Sequence, residues 1–376
     1  MDWKIPLFKI YWDKEDITAV QNIISSGMNW ATGPEVSRFE EEIARYIGVK
    51  YCLTFNSGTS ALHALLLAHG IGKGDEVIVP SFTFIATANA ALFVGARPVF
   101  ADIEEKTLGL NPQDVARKIT PKTKAIIPIH YSGCPCRIEE LKDLADKHKI
   151  LLIEDAAESF GASVNGKKTG TIGSSAILSF CQNKVITTGE GGAVLTGSDT
   201  LYKKLKLIRS QGRQETNDYF STTAYMDYVT LGYNFRMSNI TAALGLAQLG
   251  KVENIIKMRI DKAEQMNKRL AKVPEIITPV PPIGYHHVYQ MYCIRLPENK
   301  RDRLIEHLAG KGIMSKVNFY PVHKTSFYTQ ELKYDCTLPM TEKVSRQILS
   351  LPIYPQLSTE EINSITGQVI EFCMKK

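Results

Sequence analysis

Between residues 51 and 155 the chain alternates short apolar runs with helix-like stretches, and few folds accommodate that pattern. The runs are Tyr51–Phe55, Glu76–Pro80, Arg97–Ala101, Lys124–His130 and Ile150–Glu154. The stretches between them are Thr59–His69, Phe84–Val94, Pro112–Ile119 and Ile138–His148. Apolar runs of this length read as strands buried on both faces, and strand–helix–strand at this spacing reads as βαβ units. The expectation is an α/β fold with a large, mainly parallel sheet covered by helices on both sides. Ligands of such sheets bind beyond the carboxyl ends of the strands, so the polar residues that follow each run are the ones to examine.

After residue 160 the pattern changes. Residues 161–197 are rich in glycine and carry two β-prone pieces, Ala176–Phe180 and Ala193–Thr196, which read as strands completing the sheet. A long helical stretch is expected from Asn239 to Leu270, before Pro274, Pro279, Pro281 and Pro282 interrupt the chain. The remainder reads as a smaller α+β unit, with a strand near Val288–Leu296 and helices at Asp302–Gly310 and Thr341–Leu351. A final helix opens on Ser358-Thr359-Glu360-Glu361, which has the form of a capping box. The implied division is a large domain over 1–255 and a small one over 256–376.

Composition narrows the function classes. The chain has 376 residues, 44% of them hydrophobic and 22% charged, which suits a folded enzyme with a sizeable core. Its net charge of +6 is scattered among acids and not gathered into a basic stripe, so nucleic acid is not an expected partner. No apolar run reaches the roughly 18 residues a membrane span needs. Together with the absence of a signal-peptide pattern at the start, this makes a cytoplasmic protein the expectation. The seven cysteines form no CxxC pair. Cys134-Pro135-Cys136 reads as two ordinary thiols and no metal is expected.

Four features carry chemistry. Asn56-Ser57-Gly58-Thr59-Ser60 follows a strand and opens a helix, where free N–H groups and the helix dipole favour a phosphate. Ile150–Ile153 ends in Glu154-Asp155, and an acid at the end of a buried strand calls for a cationic partner such as a protonated pyridine nitrogen. Ala157 is small enough to let a flat ring lie on the backbone. Lys184 sits between Ser179-Phe180-Cys181-Gln182-Asn183 and the glycine-rich Thr187–Gly192, on the rim of the sheet, within reach of a bound aldehyde. Phe82 and Phe84 follow a strand end, where an aromatic can stack on a planar cofactor.

Taken jointly, these segments resemble the DegT-type sugar aminotransferases, members of the fold-type I pyridoxal-phosphate (PLP) enzymes. The resemblance runs from Asn29-Trp30-Ala31-Thr32-Gly33-Pro34 through the segments above to Gly232-Tyr233-Asn234-Phe235-Arg236-Met237-Ser238, Tyr320-Pro321-Val322-His323 and Leu349–Pro355. It implies that Lys184 holds PLP as a Schiff base and shuttles the proton, and that Asp155 pairs with the pyridine nitrogen. Gly58, Thr59 and Ser179 would bind the phosphate. Phe84 and Ala157 would take the two faces of the ring, and Glu158 would lie near the phenolic oxygen. Asn234 would reach the cofactor of a second protomer, so that a homodimer shares its active sites. Thr32, Tyr320 and His323 would line the sugar-nucleotide pocket, with substrate choice made in loops such as 213–230 and 318–328.

Two positions depart from the family pattern: Glu158 stands where Gln or His is frequent, and Gln211 where His is frequent. Dehydratase relatives carry His in place of the lysine, and Lys184 argues against that outcome. The expected activity is transfer of an amino group from an amino acid such as glutamate to a nucleotide-linked keto-sugar. A cyclitol ketone as substrate, or a PLP-binding regulatory protein, are the alternatives.

Overall fold

The computed structural model describes residues 3–214 and 222–374. Residues 215–221 of the 213–230 segment therefore lie outside the described residues.

Helices α1 (Lys14–Ser25) and α2 (Pro34–Ile47) lead into the sheet. Each has a local reason for its start: Asp13 and Asp16 form a reciprocal capping box on α1, and α2 opens on Pro34. Strands β1 (Tyr51–Phe55), β2 (Glu76–Pro80), β3 (Arg97–Ala101), β4 (Thr123–Ile126) and β5 (Leu151–Asp155) then alternate with helices α3 (Gly58–Ala68), α4 (Ala86–Phe93), α5 (Pro112–Lys118) and α6 (Ile138–His148). After β6 (Ser163–Val164) and β7 (Lys167–Lys168), which form a separate three-stranded sheet with β10 (Tyr285–His286), strands β8 (Ser175–Ser179) and β9 (Gly192–Thr196) return to the main sheet. Its order is β1-β9-β8-β5-β4-β2-β3. The four pairings from β8 across to β3 are parallel, and β9 runs antiparallel between β8 and β1. This is the mainly parallel α/β sheet expected from the sequence. Hydrophobic side chains fill both faces, with Leu53, Phe55, Leu65 and Val79 on one and Phe39, Leu178, Phe180 and Leu195 on the other.

Beyond α7 (Asp199–Arg209), the stretch expected as one helix from Asn239 to Leu270 is two, α8 (Asn239–Leu249) and α9 (Val252–Leu270). The break falls at Gly250-Lys251, where Lys251 leaves helical geometry and its ammonium is tied to Asp13 and Asp16. α9 joins two hydrophobic clusters. Its first half (Val252, Ile255, Ile256) packs with the sheet, and its second half (Ala263, Met266, Leu270) packs with the C-terminal elements. Ile5 belongs to the C-terminal cluster as well.

That cluster surrounds β11 (Tyr292–Arg295), which follows β10 (Tyr285–His286), and helices α10 (Glu298–Gly310) and α12 (Thr359–Met374), while α11 (Pro339–Gln347) places Val344 in a separate cluster with Phe82, Ile103 and Tyr131. The helix expected over Thr341–Leu351 stops at Gln347, because Ile348–Leu351 is strand β12, paired antiparallel with β11. Helical propensity there yields to a ladder whose four residues are all buried. At α12 the expected capping box is present: Ser358 and Glu361 exchange backbone-to-side-chain bonds of 2.9 and 3.1 Å. No helix among the described residues is long and apolar enough to cross a membrane.

Candidate active site

Strand β5 ends in two acids whose side chains alternate across the sheet, as a strand requires. Both are buried, and they meet opposite surroundings. Glu154 sits in a nest of donors: the amides of Gly170, Ile172 and Gly173 at 2.6–2.8 Å, and His130 Nε2 at 3.0 Å. His130 Nδ1 accepts from the Cys136 amide, so Nε2 carries the proton given to Glu154. Burial is the largest influence on Glu154 and pushes its carboxyl up, but His130 and the amides together outweigh it and hold it below the ordinary value. Glu154 is thus fully satisfied within the fold.

Asp155 is not. Its Oδ2 accepts from Thr87 Oγ1 at 2.8 Å and its Oδ1 from the Ala157 amide at 3.2 Å. Burial raises its pKa above its ordinary value, and the Thr87 bond is the strongest opposing influence. No ion pair within 4.0 Å is formed by Asp155 among the described residues. A buried carboxylate whose hydrogen bonds come only from neutral donors is suited to pairing with a cationic group.

The cradle expected for a phosphate is built where β1 turns into α3. Ser57 caps the helix by accepting from the Ser60 amide at 3.0 Å, and Ser60 Oγ accepts from the Ser57 amide at 3.1 Å. The Gly58 and Thr59 amides have no acceptor among the described residues, which is the ordinary condition of a first helical turn and the reason anions bind there. Ser179, the last residue of β8, stands against this turn: a Cβ on Gly58 would lie 3.2 Å from its Cβ and 3.4 Å from its Oγ. Gly192 on β9 is packed tighter still, since a Cβ there would lie 2.5 Å from the Gly58 nitrogen and from the Ser57 carbonyl. These two glycines allow the turn to sit directly on the sheet.

Lys184 approaches from the loop between β8 and β9. Its side chain is 14% exposed and its Nζ lies 3.6 Å from Glu158 Oε1. The other Glu158 oxygen accepts from the Ser132 amide at 2.8 Å. Burial pushes the Glu158 carboxyl up, with Lys184 the leading influence in the other direction. Gln290, from the C-terminal part of the chain, donates through Nε2 to the Asn183 carbonyl, so the lysine loop is pinned from outside the sheet. Phe84 is 57% exposed while Phe82 is fully buried, which leaves Phe84 as the aromatic available to a ligand. Its ring lies 6.0 Å from that of Phe319.

Residues 11–370 match the DegT/DnrJ/EryC1/StrS aminotransferase family. The chain belongs to that family. It is 38% identical over 364 residues to the GDP-perosamine synthase of Vibrio cholerae, covering 96% of this chain and 97% of that protein. Among solved structures it resembles PseC of Helicobacter pylori, an aminotransferase involved in pseudoaminic acid biosynthesis, with a TM-score of 0.93, 29% identity and coverage of 99% and 100%. It also resembles the PLP form of Spr1654 from Streptococcus pneumoniae, with a TM-score of 0.91, 26% identity and coverage of 100% and 99%. This is a PLP-dependent aminotransferase. Its own residues fit that cofactor: an anion lacking a countercharge at Asp155, two unclaimed amides with hydroxyls beside them for the phosphate, and a lysine between.

The aminotransferase brings Lys184, Asp155, Glu158 and Ala157 together around the ends of β5 and β8, with Gly58, Thr59 and Ser179 at the neighbouring turn. Asn234 is exposed, and its carbonyl accepts from Asn56 Nδ2 at 3.3 Å, which sets it beside the cradle of its own chain. Thr32 is half-buried and Tyr320 is 66% exposed. His323 is placed differently from the expectation of a pocket wall. It is buried, with Nδ1 2.6 Å from Ser81 Oγ and Nε2 3.2 Å from Glu342 Oε1, so both ring nitrogens are engaged inside the protein. Four contributors were not legible beforehand: Thr87, Ser132, Gln290 and the His130–Glu154 pair. None of them is marked in the sequence: Thr87 is one small residue among several in the first turn of the helix that follows β2.

Proposed function

We propose that this aminotransferase moves an amino group from an amino acid, with glutamate the expected donor, to a keto-sugar carried on a nucleotide. The observation that carries the reading is the buried pair of acids around one lysine: Asp155 lacking a countercharge, and Glu158 facing Lys184 Nζ at 3.6 Å. PLP supplies the electron sink when bound, through its protonated ring. The rest is done by the chain. Asp155 keeps the ring nitrogen protonated by offering it a buried carboxylate. The Gly58 and Thr59 amides and the Ser179 hydroxyl hold the phosphate. Phe84 and Ala157 bound the ring on its two faces. Lys184 would hold the aldehyde and, once the donor's amine has displaced it, its freed Nζ would take the α-proton of the donor and, in the reverse direction, deliver one to the carbon being aminated. Glu158 holds the ammonium form of that lysine close to its working position.

The nucleotide-sugar assignment is supported by the Vibrio cholerae relative, a GDP-perosamine synthase. Thr32, Tyr320 and the 318–328 segment are the proposed contacts. His323 would act from behind them through Ser81. A homodimer belongs to the same reading, with Asn234 reaching the partner's cofactor, as do a cytoplasmic location and the division into 1–255 and 256–376. The two hydrophobic clusters joined by α9 support that division.

The test is spectroscopic. Purified protein is expected to be yellow with PLP, to give a borohydride-trapped adduct on Lys184, and to lose the aldehyde band on addition of glutamate. A panel of nucleotide keto-sugars added to the aminated enzyme should then restore that band for one member. Restoration by a free cyclitol ketone and by none of the sugars would replace the substrate class. A sample without trappable lysine would overturn the enzyme reading altogether.

A further inference from the structure

Asp155 Oδ2 is met by one side chain, and that side chain is met by another. Thr87 Oγ1 lies 2.8 Å from the carboxylate oxygen, and Thr83 Oγ1 lies 2.7 Å from Thr87 Oγ1. All three residues are buried, at 1% exposure for each threonine and 3% for Asp155. The direction of the chain follows from counting protons. An ionised carboxylate can only accept, so the single Thr87 proton goes to Asp155, and Thr83 must donate to Thr87. Two hydroxyls in series polarise each other in a buried site, so the bond reaching Asp155 is stronger than an isolated one.

We propose that Thr83 and Thr87 form a hydroxyl relay that keeps Asp155 ionised and aimed at the cofactor's ring nitrogen, making both threonines positioning residues for the reaction. The inference rests on the reading of Asp155 given above. Fold geometry makes the relay possible. Thr83 lies in the turn after β2 and Thr87 in the first turn of α4, four residues on, so the two side chains share a face of the helix entry. β2 and β5 both flank β4, and α4 packs on β2, so Thr87 lies over the end of β5 without any charged residue between. The relay solves a specific problem. Burial pushes the Asp155 carboxyl toward its neutral form, and a neutral Asp155 cannot hold a proton on a pyridine nitrogen. Lys184 and His130 act in the same sense as Thr87, while the Glu158 carboxylate opposes ionisation of Asp155. Lys184 is also the one group that must change partners during turnover, which leaves the hydroxyl as the constant support.

The experiment uses holoenzyme reconstituted with PLP labelled with nitrogen-15 in the ring, whose chemical shift reports protonation of that atom directly. In Thr87→Val the hydroxyl is replaced by a methyl of similar size. The pH at which the ring nitrogen loses its proton should fall by about one unit or more, the effect of one bond to a charged group. Thr87→Ser should restore it, and Thr83→Val, which leaves the direct bond in place, should give a smaller shift of the same sign. A Thr87→Val holoenzyme whose ring nitrogen titrates as in the wild type overturns the relay. If Thr87→Val does not fold, Thr83→Val decides: no shift there overturns it equally. Asp155→Asn separates the two levels of the argument. A ring nitrogen unaffected by Asp155→Asn removes the reading of Asp155 and the relay with it, whereas one that responds to Asp155→Asn but not to either threonine removes only the relay.

Discussion

Replacing Gly192 by alanine adds one carbon at the tightest point of the proposed phosphate cradle. The new Cβ would stand 2.5 Å from the Gly58 nitrogen and the Ser57 carbonyl carbon and oxygen, against an ordinary contact of at least 3.4 Å, so the strand and the turn must separate by about 0.9 Å. Neither side can yield cheaply. Gly192 pairs with Phe55 on one side and Ser179 on the other, and the atoms it would strike are backbone. Overpacking of this kind costs about 1–3 kcal/mol of stability. The larger effect falls on the ligand, because an amide moved by nearly an ångström loses its bond to the phosphate, at about 1.5–3 kcal/mol, or roughly ten- to a hundredfold in affinity.

The assay compares apoenzyme binding of PLP with that of pyridoxal, which keeps the ring and aldehyde but lacks the phosphate. The ratio of the two affinities isolates the cradle from the bond to Lys184. Gly192→Ala should compress that ratio about tenfold or more, with pyridoxal binding little changed. Gly197→Ala, where a Cβ meets nothing within 4 Å, is the control and should leave the ratio intact. An unchanged ratio in Gly192→Ala, with unfolding within about 0.5 kcal/mol of wild type, would refute the placement of the phosphate at Gly58.

Three further outcomes follow from other parts of the chain. If Asn234 serves the partner's site, mixing Lys184→Ala and Asn234→Ala protomers rebuilds one intact site per hybrid dimer. Activity should then return from two inactive parents, and no recovery would assign Asn234 to its own chain or to no site. Burial holds His287 to about 3 and His69 to about 4, below the ordinary 6.5. Histidines kept neutral in the fold stabilise fully above 6.5, and that contribution is lost as pH falls toward those values. Urea midpoints of the apoenzyme should therefore drop from pH 6.5 to 4.5, and less steeply in His287→Gln. Gln290→Leu removes the donor to the Asn183 carbonyl. It should slow Schiff-base formation with Lys184, measured by stopped-flow absorbance, while leaving the affinity for the aminated cofactor within about threefold.

Much of this architecture was legible because it rests on periodicity. Four of the five runs between 51 and 155 were placed within about one residue, since each strand is apolar on both faces and each helix is bounded by a cap or a turn. The errors arose where a neighbour overrides local preference. Ile348–Leu351 reads as a helix end until Tyr292–Arg295 offers it a ladder, and Lys251 reads as helical until Asp13 and Asp16 draw it away. Within the site, the residues that stand out in the sequence were those whose chemistry is unusual for their place, such as Lys184 on a glycine-rich rim and Asp155 at a strand end. Their supports are ordinary residues. Nothing in the sequence distinguishes Thr87, the Ser132 amide or Gln290 from their neighbours, because their roles arise from contacts across 68, 26 and 107 positions of chain. His323 misled for the converse reason: a motif gives a position in the chain, not the direction in which a ring points.

The two acids of β5 differ in how the fold satisfies them. Glu154 has four donors and needs nothing more; Asp155 has two, neither of them charged. With both of its hydrogen bonds from neutral donors, Asp155 is a cost to the apoenzyme that sets in as pH rises through the ordinary carboxylate range, because the folded state resists its ionisation while the unfolded state does not. Asparagine removes the charge without removing the contacts. Its carbonyl can take the Ala157 amide and its NH2 can donate to Thr87, which then donates to Thr83, since a hydroxyl serves in either direction. Asp155→Asn apoenzyme should therefore be more stable than wild type at pH 8, on the order of 1 kcal/mol, with the difference shrinking toward pH 4. The same change should slow the glutamate half-reaction by a factor of about a hundred or more, because the ring nitrogen loses the carboxylate that keeps it protonated. A variant that is less stable at pH 8 than at pH 4 relative to wild type would mean that Asp155 is already compensated within the chain, and the case for a cationic ligand at the end of β5 would fall.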